Sequence, residues 1–242
     1  RPETDQEEVA RIVSQYNYLA VPVIDQEGQL LGIVTVDEIV DVIREEATED
    51  FLQMAGAGKD REILMKSSWD NARMRLPWLF ASWVGGVCAA AIIGIFDNTL
   101  QSTLALAAFI PVVIGMGGNI GTQTSTLVVR GLATGRVNVG NNINIIFKEI
   151  RVGLILGVLY GLLLGLFAIM RFVDISPYLG LVVGLGIACS MLIATAFGSF
   201  VPLLLHRMDI DPAIATGPFV TTSIDILGVT LYFVIAKIFL PV

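Results

Sequence analysis

The chain of 242 residues is 55% hydrophobic and 15% charged, with a mean hydropathy of +0.75, a composition that excludes an ordinary soluble globular domain. Its acidity lies in the first third: residues 1–75 carry 8 Lys and Arg against 16 Asp and Glu, and the remainder carries 7 against 6. Such a head excludes nucleic acid and anionic lipid as its partners and suits cations instead.

The chain opens at Arg1 on a polar stretch unlike the apolar core of a secretory signal, which reads as a truncated start. Glu8 to Gln15 sets Val9, Ile12 and Val13 at helical spacing. Residues 17–24 and 29–36 are β-rich runs joined by the turn-former cluster Asp25-Gln26-Glu27-Gly28, predicting a hairpin. Asp37 to Arg44 returns to helical spacing through Ile39, Val40 and Ile43. The order helix, strand, strand, helix describes a small α/β unit. Residues 45–75 are charged, interrupted by Gly56 and Gly58, and predict further helix leading toward a membrane but too polar to span it.

From Pro77 the sequence turns to long apolar runs, at 77–96, 103–130, 151–171, 178–204 and 212–241. Each is long enough to cross a hydrocarbon core about 30 Å thick, which takes roughly 20 helical residues. The fold class that follows is an all-α polytopic membrane domain of five transmembrane helices behind a small, partial α/β segment. Cytoplasmic flanks carry the excess of Lys and Arg. Arg73, Arg75, Arg130, Arg136, Lys148, Arg151 and Arg207 share one side, against Arg171 and Lys237 on the other. The expectation is a multi-pass protein of the cell membrane with the head and the 131–150 linker cytosolic and the C-terminus external.

Two spans carry chemistry. The second holds Pro111-Val-Val-Ile-Gly115-Met-Gly117-Gly118-Asn119-Ile-Gly121-Thr122-Gln123-Thr124-Ser125-Thr126, unusually polar for lipid depth. Gly115, Gly118, Asn119, Thr122 and Thr126 recur at intervals of three and four and so form one face. That face fits either a small-residue helix interface or a path lined by neutral oxygen ligands, which a hydrated alkaline-earth ion accepts through its waters. The fifth span holds Asp225, read here as the only carboxylate within a span, with Pro218, Thr221, Thr222, Gly228 and Tyr232 as its helical neighbours. An intramembrane carboxylate is costly to place and marks an ion or proton path. Cys88, Cys189 and the lone His206 have no ligand spacing and receive no chemical role.

Mg²⁺ gives up its waters reluctantly, so its path must accept them, and a carboxylate with carbonyl and amide oxygens does so where thiolate or imidazole would select softer metals. Among competing functions, an alternating-access divalent cation carrier stays open beside a channel, although no inverted repeat is evident. Intramembrane proteolysis would need two carboxylates sharing a proton at mid-depth, so an enzyme is not expected.

The Gly-Gly-Asn-Ile-Gly-Thr-Gln core at 117–123, together with Thr221-Thr-Ser-Ile-Asp225, resembles the MgtE family of magnesium transporters and channels over essentially the whole chain. The resemblance implies that residues 1–46 are part of a CBS domain, 47–75 a connecting plug helix, and 76–242 the ion-conducting membrane domain. It also implies a homodimer whose path, lined by the second and fifth helices, passes Mg²⁺, with other divalent cations as further candidates, and cytosolic Mg²⁺ closing it. Asp225, Asn119, Gly118, Thr122 and Thr221 are then the pore residues. Many nucleotide-binding CBS domains end a Gly-h-h-Thr-x-x-Asp motif, h being hydrophobic, in Asp; here Gly32-Ile-Val-Thr35-Val-Asp37-Glu38 ends in Glu, so an ATP site is weakly supported. On the head helix Asp41, Glu45 and Glu49 repeat every four residues; stacked like charges destabilise a helix unless a cation binds, which makes them candidate regulatory ligands.

Overall fold

The computed structural model describes residues 1–58, 60, 62–135, 137, 142–173 and 175–240. Arg136, Gly140, Asn141 and Val242, on which the linker and orientation readings drew, lie outside the described residues.

Asp5 opens α1 (Gln6–Tyr16) by accepting the Glu7 amide at 2.8 Å, which satisfies one orphan donor of the first turn. Asn17 closes it at a φ of 54°, a region Asn tolerates better than most residues. β1 (Ala20–Ile24) and β2 (Leu30–Thr35) pair antiparallel, with Ala20 opposite Thr35 and Val23 opposite Gly32. The turn between them is held by the Asp25 carboxylate, which accepts the Gln29 amide at 2.7 Å. α2 (Val36–Met54) starts on a capping box in which the Thr35 amide donates to Glu38 Oε2 at 2.8 Å. Glu38, the residue that departs from the nucleotide motif, is therefore engaged at a helix start. Ala10, Val13 and Ile39 form the small core of this unit, with Val21 and Val34 packed against it.

α2 runs on past residue 46 as one helix and stops where Gly56 and Gly58 adopt φ of 67° and 91°. Residues 47–75 therefore divide between the last turns of α2, a turn region with a short 3₁₀ turn at Ile63–Met65, and the start of α3 (Ser68–Ile95). The helix is interrupted at the two glycines, where the sequence marks the break.

Among the described residues five helices are long and apolar enough to cross a membrane, which makes this a multi-pass membrane protein: Ser68–Ile95, Leu104–Ala133, Ile143–Arg171, Leu179–Arg207 and Pro218–Phe239. The short α4 (Asp97–Ser102) and a 3₁₀ segment, Leu104–Phe109, lead into α5 (Ile110–Ala133). α6 (Asn142–Arg171) and α7 (Leu179–Arg207) follow, then the short α8 (Ala213–Thr216) and finally α9 (Pro218–Phe239). Two expectations need correction. The third span begins at Ile143, within a helix that starts at Asn142, and not at 151, because Ile145 and Ile146 pack against Val128, Leu132 and Leu203 and draw the helix back toward the head. The fifth is split at Gly217, since Pro218 lacks an N–H and restricts the backbone before it.

α7 sits at the centre, packed on α5, α6 and α9, while α3 lies chiefly on α9. The α6–α7 seam is built from small residues. A Cβ on Gly161 would stand 2.5 Å from the Gly184 carbonyl oxygen, and Gly165 meets Gly180 in the same way one turn along. Without side chains the two backbones close to direct contact, as expected in lipid, where packing replaces the hydrophobic drive.

Candidate cation path

α5 presents two unlike faces. Val113, Gly117, Ile120, Gly121, Thr124, Ser125 and Val128 are buried against the bundle. Gly115 and Asn119 are exposed, and Gly118, Thr122 and Thr126 are half-buried, so the face singled out in the sequence is left open by the other described helices. The packed face explains why α5 can come so near α9. A Cβ on Gly117 would meet Ser190 Oγ at 2.7 Å and Ile224 Cγ2 at 3.2 Å, so Ile224 of α9 lies directly on the helix surface.

The next residue of α9 is Asp225, half-buried, with one carboxylate oxygen 3.5 Å from where a Gly118 side chain would begin. The structure thus brings Asp225 to the edge of the open face of α5, beside Gly118, which Asn119 follows directly and Thr122 follows one turn along the helix. Among the described residues Asp225 has no hydrogen-bond or ion-pair partner. Thr221, one turn earlier, returns its hydroxyl to the Pro218 carbonyl at 3.2 Å, as hydroxyls do in apolar helices.

The remaining neighbours of Asp225 share its helical face but not its surroundings. The Thr222 methyl lies over Gly85 of α3. Gly228 packs on Ser190 and Val113, and Tyr232, fully buried, donates its hydroxyl to the Leu106 carbonyl at 3.1 Å. The polar stripe expected along the fifth span is therefore divided among three environments, because α3 and the 3₁₀ segment cover its two flanks.

Asp225 is also not the sole carboxylate in a span. Glu149, read as linker, belongs to α6, and its Oε2 accepts the Thr124 hydroxyl at 3.1 Å; Asp70 falls in the first turn of α3. The sequence signal for Glu149 was the apolar run Ile145-Ile146-Phe147 ahead of it, which continues the helix toward the head.

The head meets the membrane helices at a cleft of about 610 Å³ lined by Glu7, Arg11, Glu46, Asp50, Arg130 and Thr134, among others. Burial raises the Asp50 carboxyl to about 6, and the nearby charges of Asp211, Glu46 and Glu49 add to it, with Arg130 opposing. Glu7 is raised likewise by burial, then by Asp50 and Glu46. Of the stripe named from sequence, Asp41 and Glu45 are exposed while Glu49 is half-buried, its Oε1 3.5 Å from Gln53 Nε2. Among the described residues no group of three or more His, Cys, Asp or Glu stands arranged to hold a metal. The acidic side chains that gather are Glu7, Glu46 and Asp50, two of which belong to the acidic run on α2.

Residues 110–235 match the MgtE family, described as divalent cation transporter, and residues 1–45 match the CBS domain. The chain is 40% identical over 236 residues to the magnesium transporter MgtE of Bacillus subtilis (strain 168), covering 98% of this chain and 52% of that protein. Identity to the magnesium transporters MgtE of Enterococcus faecalis and Thermus thermophilus is 38% and 37%, covering 98% and 99% of this chain and 51% and 53% of theirs. The chain spans about half the length of the curated relatives it matches.

Proposed function

Because the chain belongs to the MgtE family of divalent cation transporters, we propose that it moves hydrated Mg²⁺ across the membrane along the open face of α5 beside Asp225. The observation that carries this reading is the carboxylate of Asp225, which lies next to Gly118 and has no hydrogen-bond or ion-pair partner among the described residues. A carboxylate at span depth without a counter-ion is costly, and a divalent cation in its hydration shell offsets that cost. Gly118 leaves room for the waters, while Asn119 and Thr122 supply neutral oxygens on the same face, with Thr221 one turn from Asp225. The relatives are transporters by name, and an enzymatic role is set aside with them.

The open face of α5 also supports a homodimer, since a two-fold contact uses one surface twice and would set two Asp225 side chains on either side of one path. The head is placed in the cytosol, on the side of Arg73, Arg75, Arg130, Lys148 and Arg151, and the C-terminus outside. Cytosolic Mg²⁺ is the regulatory ion in this reading, bridging acidic groups of the head and the adjoining helix ends.

Mg²⁺ flux into proteoliposomes containing the full-length protein tests the function, with Asp225→Asn as the control for the path. No flux from folded wild-type protein would end the transport reading. Single-channel currents would separate a channel from an alternating-access carrier.

A further inference from the structure

We propose, resting on the transport reading above, that Gly85 of α3 is a positioning residue for the cation path: it receives the side chain of Thr222 and so sets the roll of α9 that turns Asp225 toward Gly118. α3 buries little of itself. Its buried residues are Gly85 and Ala89, one turn apart, while Phe80, Trp83, Val84 and Val87 around them are exposed. A side chain on Gly85 would overlap the Thr222 methyl group, and the Thr222 Cβ stands 3.1 Å from where that side chain would begin. Turning Thr222 to another rotamer would therefore leave the contact tight. The methyl fills the notch that the missing side chain leaves.

Thr222 lies one turn before Asp225 on α9. At about 3.6 residues per turn, Thr222 stands about 60° to one side of Asp225 around the helix and Ile224 about 100° to the other. Both flanks are seated on glycine. Ile224, 1% exposed, has its Cγ2 3.2 Å from where a Gly117 side chain would begin, and its Cδ1 fills the place of one on Gly121. α9 is thus held between α5 and α3, and Asp225 falls between the two contacts with its carboxylate oxygen at Gly118.

A roll of α9 in either direction must lift one of these two side chains from its glycine. A methyl group on Gly85 would push Thr222 aside and carry Asp225, on the next turn of the same helix, with it. Gly85 itself meets only Thr222 in this way and acts on the path through α9.

The test is made in the full-length protein, with Gly85→Ala read by Mg²⁺ flux into proteoliposomes. The Mg²⁺ concentration for half-maximal flux is expected to rise about tenfold, because the pull of the carboxylate on the ion weakens as Asp225 turns away. Thr222→Ser removes the methyl and keeps the hydroxyl; alone it should stay close to wild type, and combined with Gly85→Ala it should recover most of the loss. A residue that serves packing alone would lower the melting temperature and leave the half-maximal concentration of the folded protein unchanged. In parallel, cryo-electron microscopy of Gly85→Ala should show the Asp225 carboxylate displaced from Gly118. Should Gly85→Ala not fold, Thr222→Ile, which lengthens the inserted side chain, takes its place with the same expectations for flux and for Asp225. An unchanged half-maximal concentration in the folded variant, a double variant no nearer wild type than the single, or Asp225 still seated at Gly118 would overturn the proposal. A wild-type protein that moves no Mg²⁺ would refute the transport reading instead, and the position of Asp225 in the variant would then decide the role of Gly85 alone.

Discussion

Asp225 and Gly118 face one another across the α5–α9 contact, with a carboxylate oxygen 3.5 Å from the point where a Gly118 side chain would begin. The distance is an ordinary van der Waals separation, so the glycine holds open a space the size of a small group against the one intramembrane carboxylate that lacks a partner among the described residues. A carboxylate and a divalent ion about 5 Å apart, with one water layer between them, attract by roughly 6 to 7 kcal/mol at an effective dielectric near 20, before desolvation is counted.

Asp225→Asn keeps the shape and removes the charge. If as little as about 2.7 kcal/mol of that attraction survives desolvation, ion binding weakens about a hundredfold, so Mg²⁺ flux or selectivity is expected to be lost in proteoliposomes. Asp225→Glu keeps the charge but crowds the path and should impair conduction more than binding. Normal flux and selectivity from a folded Asp225→Asn protein would reduce Asp225 to a structural group.

Substituting the two neighbouring glycines should separate path from packing. Gly118→Ala meets only the Asp225 carboxylate, so the protein is expected to keep its melting temperature while conductance falls. Gly121→Ala instead drives a methyl into Ile224, an overpacking that costs typically about 1–3 kcal/mol and should lower the melting temperature. Equal thermal losses in both variants would mean that Gly118 is a packing residue too.

The pH dependence of the head has a definite sign. Asp50 is raised from 3.8 to about 6, so the fold favours its protonated form; that stabilisation is complete below the ordinary value and is lost as pH rises through about 6. Fully expressed, the shift would correspond to about 3 kcal/mol, and solvent screening at this half-exposed site reduces it to the order of 1 kcal/mol. Asp50→Asn should therefore raise the melting temperature at pH 7 in chelator and leave it unchanged at pH 4. Thermal scans at the two pH values check this, and an Asp50→Asn protein less stable at pH 7 would contradict it.

Neutralising Asp41, Glu45 and Glu49 together should weaken closure by cytosolic Mg²⁺ without altering conductance. The triple variant is read by patch recording over a Mg²⁺ titration. Unchanged inhibition would remove these three from the mechanism and leave the Glu7, Glu46 and Asp50 cleft as the place to look.

Orientation is accessible to labelling. With Cys88 and Cys189 replaced, an impermeant maleimide added to intact cells should reach a cysteine at Gln101 and fail to reach one at Thr48. The opposite pattern would invert the assignment of sides.

The five spans and the hairpin could be read from sequence because each rests on local spacing: apolar runs of bilayer length, and a turn cluster between β-rich runs. The same holds for Asp225 and the open face of α5, where polarity inside an apolar segment is itself the signal. What the spacing does not carry is the identity of the neighbours. Thr222, Gly228 and Tyr232 share a helical face with Asp225 yet turn out to serve α3, α7 and the 3₁₀ segment. Glu149 was misplaced because charged Lys148, Glu149 and Arg151 interrupt the hydropathy of α6 without interrupting its helix. The cleft gathers Glu7, Asp50 and Arg130 from distant stretches of chain, and its raised carboxyl values arise chiefly from burial that only the tertiary arrangement supplies.

The glycine seam between α6 and α7 has a consequence for how this chain can drift in sequence. Along that line even one added methyl must push two backbones apart, whereas the outer side of α6 presents Leu154, Val158, Leu162 and Leu166 to the surroundings and can exchange one apolar side chain for another freely. A saturation scan of α6 should accordingly show a beat of intolerance every fourth residue, at Gly157, Gly161 and Gly165, in a background that accepts almost any oily replacement. Two helices locked so closely would behave as one rigid plank, leaving α3, α5 and α9 as the members whose relative positions remain adjustable.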